Sequence, residues 1–550
     1  MPSKVKVNLF CFGLAFVAII ITPWVSYDPL NLPKQLILVI FAGILISTLS
    51  KSEIRQILSQ NKTLNIVTVL FILQLILVLS FAPGNFYQQL YGASGRQTGF
   101  LTYFALIIFM IMATHLCSYY LIKSTISTLV LVGVLSIGYG LLQSFNLDPI
   151  NWTTPHSPIF GFLGNPNFYS SFIGFSIAPA LAYILKVKFL SLRSWVCLVY
   201  VFLSFYLIYR TDSKQGFLVA GVVATTITIL YIFKESRLNI LKFFTAISAA
   251  LVLVASILDI LQKSPWNSIL YEASISFRGD FWRAAIKMGL DHPFFGVGMD
   301  SYRDYYFRSR DLVASQRSIA ESSVDSAHNV ILDMLSNGGL PLAFIYILIL
   351  VLTFVSAFRI LKKMVGFDPL FVSVFAVWIG FQAQSLISIN VIGLSVWGWV
   401  FGGLILGYDT LTNNNKSITN TQQKGKVKTD SFKILPALIG FILGLIIVFP
   451  VFKADMNFRT AIDSRSIDLI SASAYIYPQS VVRMNYVART FQLNELNGIS
   501  LDIARDAVIF SPETFESWKL IYELPNSSTS EKEEAYRRIA YLNPAYFTGK

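Results

Sequence analysis

Apolar residues in this chain come in long runs rather than in alternation. Runs of roughly 17–25 residues, enough for a helix to cross a hydrocarbon core of about 30 Å, recur along its length. They lie at 8–26, 34–50, 64–82, 99–117, 125–144, 168–186, 195–210, 216–233, 242–261, 339–360, 369–388, 391–408 and 434–452. The pattern predicts an all-α polytopic membrane protein with about 13 transmembrane helices. Two stretches break the rhythm by being long and polar: 262–338, and everything from 453 onward.

Loop charge sets the orientation. With the N-terminus cytoplasmic, the inside loops carry Lys51, Arg55 and Lys62; Lys123; Lys186, Lys188 and Arg193; Lys234 and Arg237; Arg359, Lys362 and Lys363; then Lys416, Lys424, Lys426, Lys428 and Lys433. These loops are nearly free of acids, as topology selection requires. Both polar stretches then fall outside. The first mixes eight Lys/Arg with a similar number of acids, which suggests a folded cap. The expected division is 1–261 with nine helices, an external loop at 262–338, four helices at 339–452, and an extracytoplasmic helical tail at 453–550. A polar, Asn/Thr-rich stretch at 410–433 reads as a flexible cytoplasmic linker. In the tail, Pro478, Pro512 and Pro544 are spaced 34 and 32 residues apart, each after a helical pattern. That period suits tetratricopeptide-like helix pairs; the plainer reading is an irregular helical tail with coincidental prolines.

Composition agrees with the pattern. The chain is 54% hydrophobic and 13% charged, where a soluble domain carries about a quarter charged residues. A net charge of +13 could suggest nucleic acid, but the cations sit in short loops between apolar runs, so no nucleic-acid partner is expected. Cys11, Cys117 and Cys197 lie in or beside the runs and offer neither a disulfide framework nor a metal site. Lys4 and Lys6 precede an apolar stretch without a small-residue cleavage site, which reads as a retained first helix.

Strongly polar groups at external span ends cost free energy to hold near lipid and invite a functional explanation. Eight such residues are expected on one side: Arg96, Asn165, Asn167, Arg210, Lys214, Arg278, Arg283 and His328. Several cations at an interface suit an anionic lipid head group, because Arg matches phosphate bidentately while Lys acts as a point charge. On a pyrophosphate they would also stabilise the charge that builds on a leaving group. The alternative is anchoring, with each Arg snorkelling to head groups. Of the four histidines (His115, His156, His292, His328), only His328 starts an amphipathic stretch that enters a span. A neutral imidazole there could take a proton from an attacking hydroxyl, or simply cap the helix. Asp325 could orient the ring or be a helix N-cap. There is no Asp-x-Asp pair, no HExxH and no Gly-rich phosphate loop. Metal-dependent transfer from a nucleotide sugar therefore has no local support and no cofactor is expected. Energy would arrive in the substrate itself.

The phrases TDSKQGFLVAG, SFRGDFWRAAIKMGLDHPFFGVGMDSY and AHNVILDMLSNGGLPLAFIYILIL occur in this order, the last two bracketing the large loop. The layout over about 90–410 resembles the O-antigen ligase/polymerase superfamily of bacterial inner-membrane proteins. The resemblance implies a metal-independent transferase that moves a glycan from an undecaprenyl-diphosphate carrier to an acceptor hydroxyl. His328 would be the base, with Arg278 and Arg210 gripping the diphosphate. Where the family usually has Arg, this chain has Lys214, which keeps the charge but loses the bidentate fork. The acceptor could be a lipid A core, another glycan repeat, a protein Ser/Thr or a cell-wall polymer. A tetratricopeptide-like tail would hint at a protein partner or acceptor. Two other classes fit less well. A flippase of lipid-linked sugars should carry charges through the depth of the spans, and a structural scaffold leaves Arg278 and His328 without a role.

Overall fold

The computed structural model describes residues 4–152, 159–187, 191–235, 242, 273–317, 323–418 and 433–547. Apart from Lys242, the expected run 242–261 lies outside the described residues. So do His156, residues 262–272 and 318–322 of the polar loop, and residues 419–432 of the expected linker, whose first part, 410–418, instead continues a helix because its Asn and Thr residues follow directly on a buried apolar segment. Among the described residues every regular element is helical. This is the form that satisfies all backbone polar groups within one segment in lipid.

The helices are α1 (Lys4–Ile19), α2 (Asn31–Ser47), α3 (Lys51–Gln60), α4 (Lys62–Phe81), α5 (Phe86–Tyr91), α6 (Phe100–His115) and α7 (Tyr119–Ser144). Then come α8 (Pro166–Ser176), α9 (Ala178–Lys186), α10 (Leu192–Arg210) and α11 (Lys214–Glu235). Beyond the undescribed stretch lie α12 (Ala273–Asp291), α13 (Tyr302–Ser309), α14 (Leu312–Arg317), α15 (Val330–Lys363), α16 (Pro369–Ser385) and α17 (Ile392–Ile418). The last group is α18 (Ile434–Ser464), α19 (Ile467–Ser473), α20 (Val481–Leu493), α21 (Asn497–Phe510), α22 (Phe515–Glu523) and α23 (Thr529–Leu542). Among the described residues eight helices are long and apolar enough to span a membrane, nine if the α2–α3 pair, bent by 100°, counts as one span. Helices α6 and α16 coincide with expected runs but are shorter. The chain is a multi-pass membrane protein.

Packing draws the bundle around α17, which is buried along almost its whole apolar length and carries the fully buried Trp397 in its second turn. Helix α18 lies against α2. A Cβ on Gly43 would come within 2.5 Å of the Gly440 carbonyl oxygen, and one on Gly444 within 2.7 Å of the Ile40 Cα. Small residues four apart let two backbones approach this closely, the usual way to gain contact between helices in lipid. Helix α18 then continues past residue 452 to Ser464 without interruption, so one helix joins the bundle to the tail.

Helix α15 is broken at Gly339, whose φ of +73° is not helical. The turn 292–298 fills the break: Leu340 N–H donates to Pro293 O at 2.8 Å, and Val297 N–H to Ser336 O at 2.8 Å. Gln74 from α4 donates to Phe294 O at 2.7 Å and Gly338 O at 3.1 Å. Carbonyls freed by the break are thus satisfied, as buried backbone requires. The HPFFGVG and SNGGLP phrases are two halves of one joint.

At one end of the bundle α9, α11 and α15 finish together. Lys186 pairs with Glu235 at 3.1 Å, and Lys234 donates to Leu361 O at 2.6 Å and Met364 O at 2.8 Å. Helix α11 has 22 residues, so its first residue, Lys214, lies about 33 Å away. The starts of α8, α11 and α15 gather at that far end.

The tail packs on the loops at the same end. Its helices pair as α20 with α21 and α22 with α23, and Pro512 and Pro544 follow the second helix of each pair. Phe515, Ile539, Leu542 and Tyr546 share one core with Met288, Tyr302 and Phe307 of α12 and α13. Arg308 pairs with Glu513 at 2.6 Å, and Asn85 donates to Phe510 O at 3.3 Å.

Candidate functional site

His328 sits two residues ahead of α15 with φ +52°, the left-handed region that few side-chain-bearing residues adopt. The next residue, Asn329, is the N-cap. It accepts from Ile331 N–H at 3.0 Å and Leu332 N–H at 3.1 Å, and donates to Leu386 O at 3.1 Å. Asp325 is therefore not the cap. Asp333, inside the first turn, accepts from Ala327 N–H at 2.8 Å and ties the turn 325–328 back onto the helix. The imidazole leans on Phe281 of α12, with ring centroids 5.5 Å apart. Burial pushes His328 down to about 4; Asp325 pulls the other way, and the cations Arg278 and Arg96 add to the fall. The ring is thus neutral at physiological pH and within the field of two guanidinium groups.

Arg96 reaches this turn from the loop between α5 and α6. Its guanidinium is buried, 3.3 Å from Asp300 and 3.4 Å from Asp325, and donates to the Asp325 carbonyl at 2.5 Å. Burial alone would lower Arg96; Asp325, Asp300 and Asp333 outweigh it and hold the group above the ordinary arginine value. Asp300 is buried too, and accepts from Ala93 N–H at 2.7 Å and Thr98 N–H at 3.1 Å. The loop 92–98 is therefore folded around one carboxylate. Gln35 of α2 braces it further by donating to Tyr91 O at 2.6 Å. Arg283, one turn after Arg278 on α12, is half-exposed and pairs with Asp280 and, at 2.7 Å, with Asp311.

A second group collects at the starts of α8 and α11. Asn165 caps α8 and accepts from Asn167 N–H at 2.8 Å. Asn167 accepts from Ser213 Oγ at 2.7 Å, and Ser213 accepts from Ser170 Oγ at 2.9 Å. Ser213 immediately precedes Lys214, which is exposed at the head of α11. Arg210, exposed at the end of α10, donates to Ser144 O at 3.4 Å. The tight reversal from Arg210 to Lys214 passes through Asp212 at φ +55°. The contacts bring His328, Arg278 and Arg96 together and link Asn167 to Ser213 beside Lys214, while Arg283 pairs with Asp280 and Asp311 and Arg210 with Ser144 O. All lie at the end of the bundle remote from Lys186 and Lys234.

Residues 199–347 match the family model described as O-Antigen ligase. Over those residues the chain is similar to the O-antigen ligase family. The match runs from α10 to the first part of α15, so it takes in Arg210, Lys214, Arg278, Arg283 and His328. Arg96, Asn165 and Asn167 precede it. No curated protein matches the chain. The match indicates glycan transfer of the O-antigen ligase or polymerase type.

Sequence reasoning missed the carboxylates that hold this group together, Asp300 and Asp333. Asp333 carried a readable signal, being an acid five residues after His328 in a stretch otherwise heading into lipid. Asp300 carried none, since only the fold brings it to Arg96.

Proposed function

We propose that this O-antigen ligase-like chain transfers a glycan from an undecaprenyl-diphosphate-linked donor to an acceptor hydroxyl on the outer face of the bacterial inner membrane, without a metal. The observation that carries the reading is the neutral His328 imidazole in the field of Arg278 and Arg96. His328 takes the acceptor's proton; the acceptor oxygen bonds to the anomeric carbon as the bond to the diphosphate breaks. Undecaprenyl diphosphate leaves with its charge met by Arg278 and Arg210. Lys214, Asn165, Asn167 and Arg283 complete the substrate-binding surface, with Lys214 as a point charge rather than a fork, and buried Arg96 supports it from behind through Asp300 and Asp325. The helical tail is a tetratricopeptide-like unit of the same extracytoplasmic surface, where it offers a place for a protein partner. The acceptor is a glycan, a lipid or a protein.

The test uses the purified chain in proteoliposomes, supplied with its host's undecaprenyl-diphosphate-linked glycan and surface acceptor in the presence of chelator. Transfer should proceed in the unaltered chain and fall by about 10²–10⁴-fold in His328→Ala, the usual range for a lost general base. Undiminished transfer in that variant removes His328 from the chemistry, and transfer abolished by chelator removes the metal-independent mechanism.

A further inference from the structure

The loop 92–97 has two faces. One presents Arg96 to Asp300 and Asp325; the other, through Gly92 to Gly95 and Gln97, lines a cavity of about 410 Å³ between the bundle and the tail. Gly95 and Gln97 flank Arg96, and neighbouring Cα atoms lie about 3.8 Å apart, so a single thickness of loop separates the cavity from the His328 group.

Aromatic rings wall the cavity. Tyr27, from the α1–α2 connection, packs edge-on against Phe458 at 4.7 Å and Tyr486 at 5.8 Å. Tyr87 lies across from them, held by Tyr477 at 5.6 Å. These rings are fixed by one another, so presenting their faces to a ligand costs little ordering entropy. Arg483 also lines the space. It donates to Pro478 O at 2.8 Å, while its Nε is buried without a hydrogen bond. A buried donor left unsatisfied calls for an explanation. Val481, Val482 and Tyr486 also line a second cavity, of about 360 Å³, which continues along α20 among Arg303, Arg489 and Glu516. The two share the Val481–Tyr486 part of α20 and together make a track lined by tyrosine rings and by charged groups of both signs.

We infer that this track is a saccharide-binding site that holds the glycan of a substrate of which one end reaches the His328 side of the loop. Pyranose rings present apolar C–H faces that stack on tyrosine, and rims of hydroxyls that pair with guanidinium, carboxylate and amide groups. Two adjoining cavities, each lined by aromatic and charged groups, suit an oligosaccharide rather than a single sugar. A lipid tail would bury Arg483 and Asp455 against hydrocarbon at high cost. The purpose of the site rests on the transferase reading; binding itself does not.

The probe is the oligosaccharide released by mild acid from the host's own surface glycan, presented to the full chain in nanodiscs. Saturation-transfer NMR should show its sugar protons in contact with the protein, and titration should give a dissociation constant. Tyr486→Ala should weaken binding at least tenfold. So should Ser94→Trp, which fills the cavity from an exposed loop position without touching the core. His328→Ala should bind normally. Binding unchanged in both cavity variants, or absent in the unaltered chain while it still transfers glycan, overturns the inference alone. Capture of an acceptor peptide in place of the oligosaccharide also overturns it. Binding by an unaltered chain that shows no glycan transfer sinks the transferase reading and leaves the saccharide site standing.

Discussion

His328 combines a backbone conformation that costs free energy with an imidazole held neutral by burial and two cations. Because its pKa is lowered from 6.5 to about 4, the ring stays deprotonated as the pH falls through the usual histidine range. The acid limb of kcat/KM is therefore expected near pH 4 rather than 6.5, and Arg278→Gln should move it upward by removing one depressing charge. A midpoint near 6.5 in the unaltered chain would contradict this placement. Arg96 makes a separate prediction. Replacing it with Gln leaves Asp300 buried without its cation, a change that costs about 3–5 kcal/mol. Thermal unfolding in detergent should fall accordingly, far more than for a surface arginine such as Arg537. Ionisable residues stand out in a chain this apolar, which is why the sequence singles out Arg96 and His328 as candidates. Their partners were not legible there, because an ion pair between positions 96 and 300 exists only once the loop and α12–α13 have folded together.

At the scale of elements, the joint between the turn 292–298 and α15 is the most constrained backbone near the site. A Cβ on Gly339 would combine φ +73° with a 2.5 Å approach to Pro293 O. Gly339→Ala should then lose about 1–2 kcal/mol from the conformation alone, plus about 1–3 kcal/mol from crowding. Gly138→Ala in α7, where a Cβ meets nothing within 4 Å, is the control and should be neutral or slightly stabilising, since alanine favours helix. The two melting temperatures decide it. The apolar runs located the spanning helices well because burial in lipid demands hydrophobicity along the whole segment. The break in α15 was harder to see: the phrase SNGGLP marks a place where a helix can bend, but only HPFFGVG, some forty residues earlier, explains why it does. Likewise, α18 extends twelve residues beyond the expected end at 452, since a helix does not stop where hydrophobicity does.

Across the whole molecule, the tail is a packed part of the site end rather than an appendage. Its helical character was readable in the sequence, but its docking was not, because the apolar faces that meet α12 and α13 look like ordinary core residues. The junction carries a pH-sensitive group. Burial pushes Asp304 up to about 7; Glu516 adds to the rise, while Gln88, Arg303 and Thr514 oppose it. A carboxylate raised from 3.8 binds protons more readily folded than unfolded. Docking should accordingly be strongest below about pH 4 as far as this group is concerned, and weaken as the pH rises toward 7. Hydrogen-exchange protection of α22 and α23, taken relative to the intrinsic rate at each pH, should be lower at pH 8 than at pH 5, and Asp304→Asn should remove most of that difference.

The central claim is that His328 acts on a lipid-linked donor. Its most direct test replaces the native copy with His328→Ala, confirms that the variant reaches the membrane, and profiles lipid-linked and surface glycans together. The account predicts loss of surface glycan with externally accessible donor accumulating on its carrier, as long chains for a ligase and single repeats for a polymerase. Normal surface glycan in the variant, alongside its loss on gene deletion, would contradict the account.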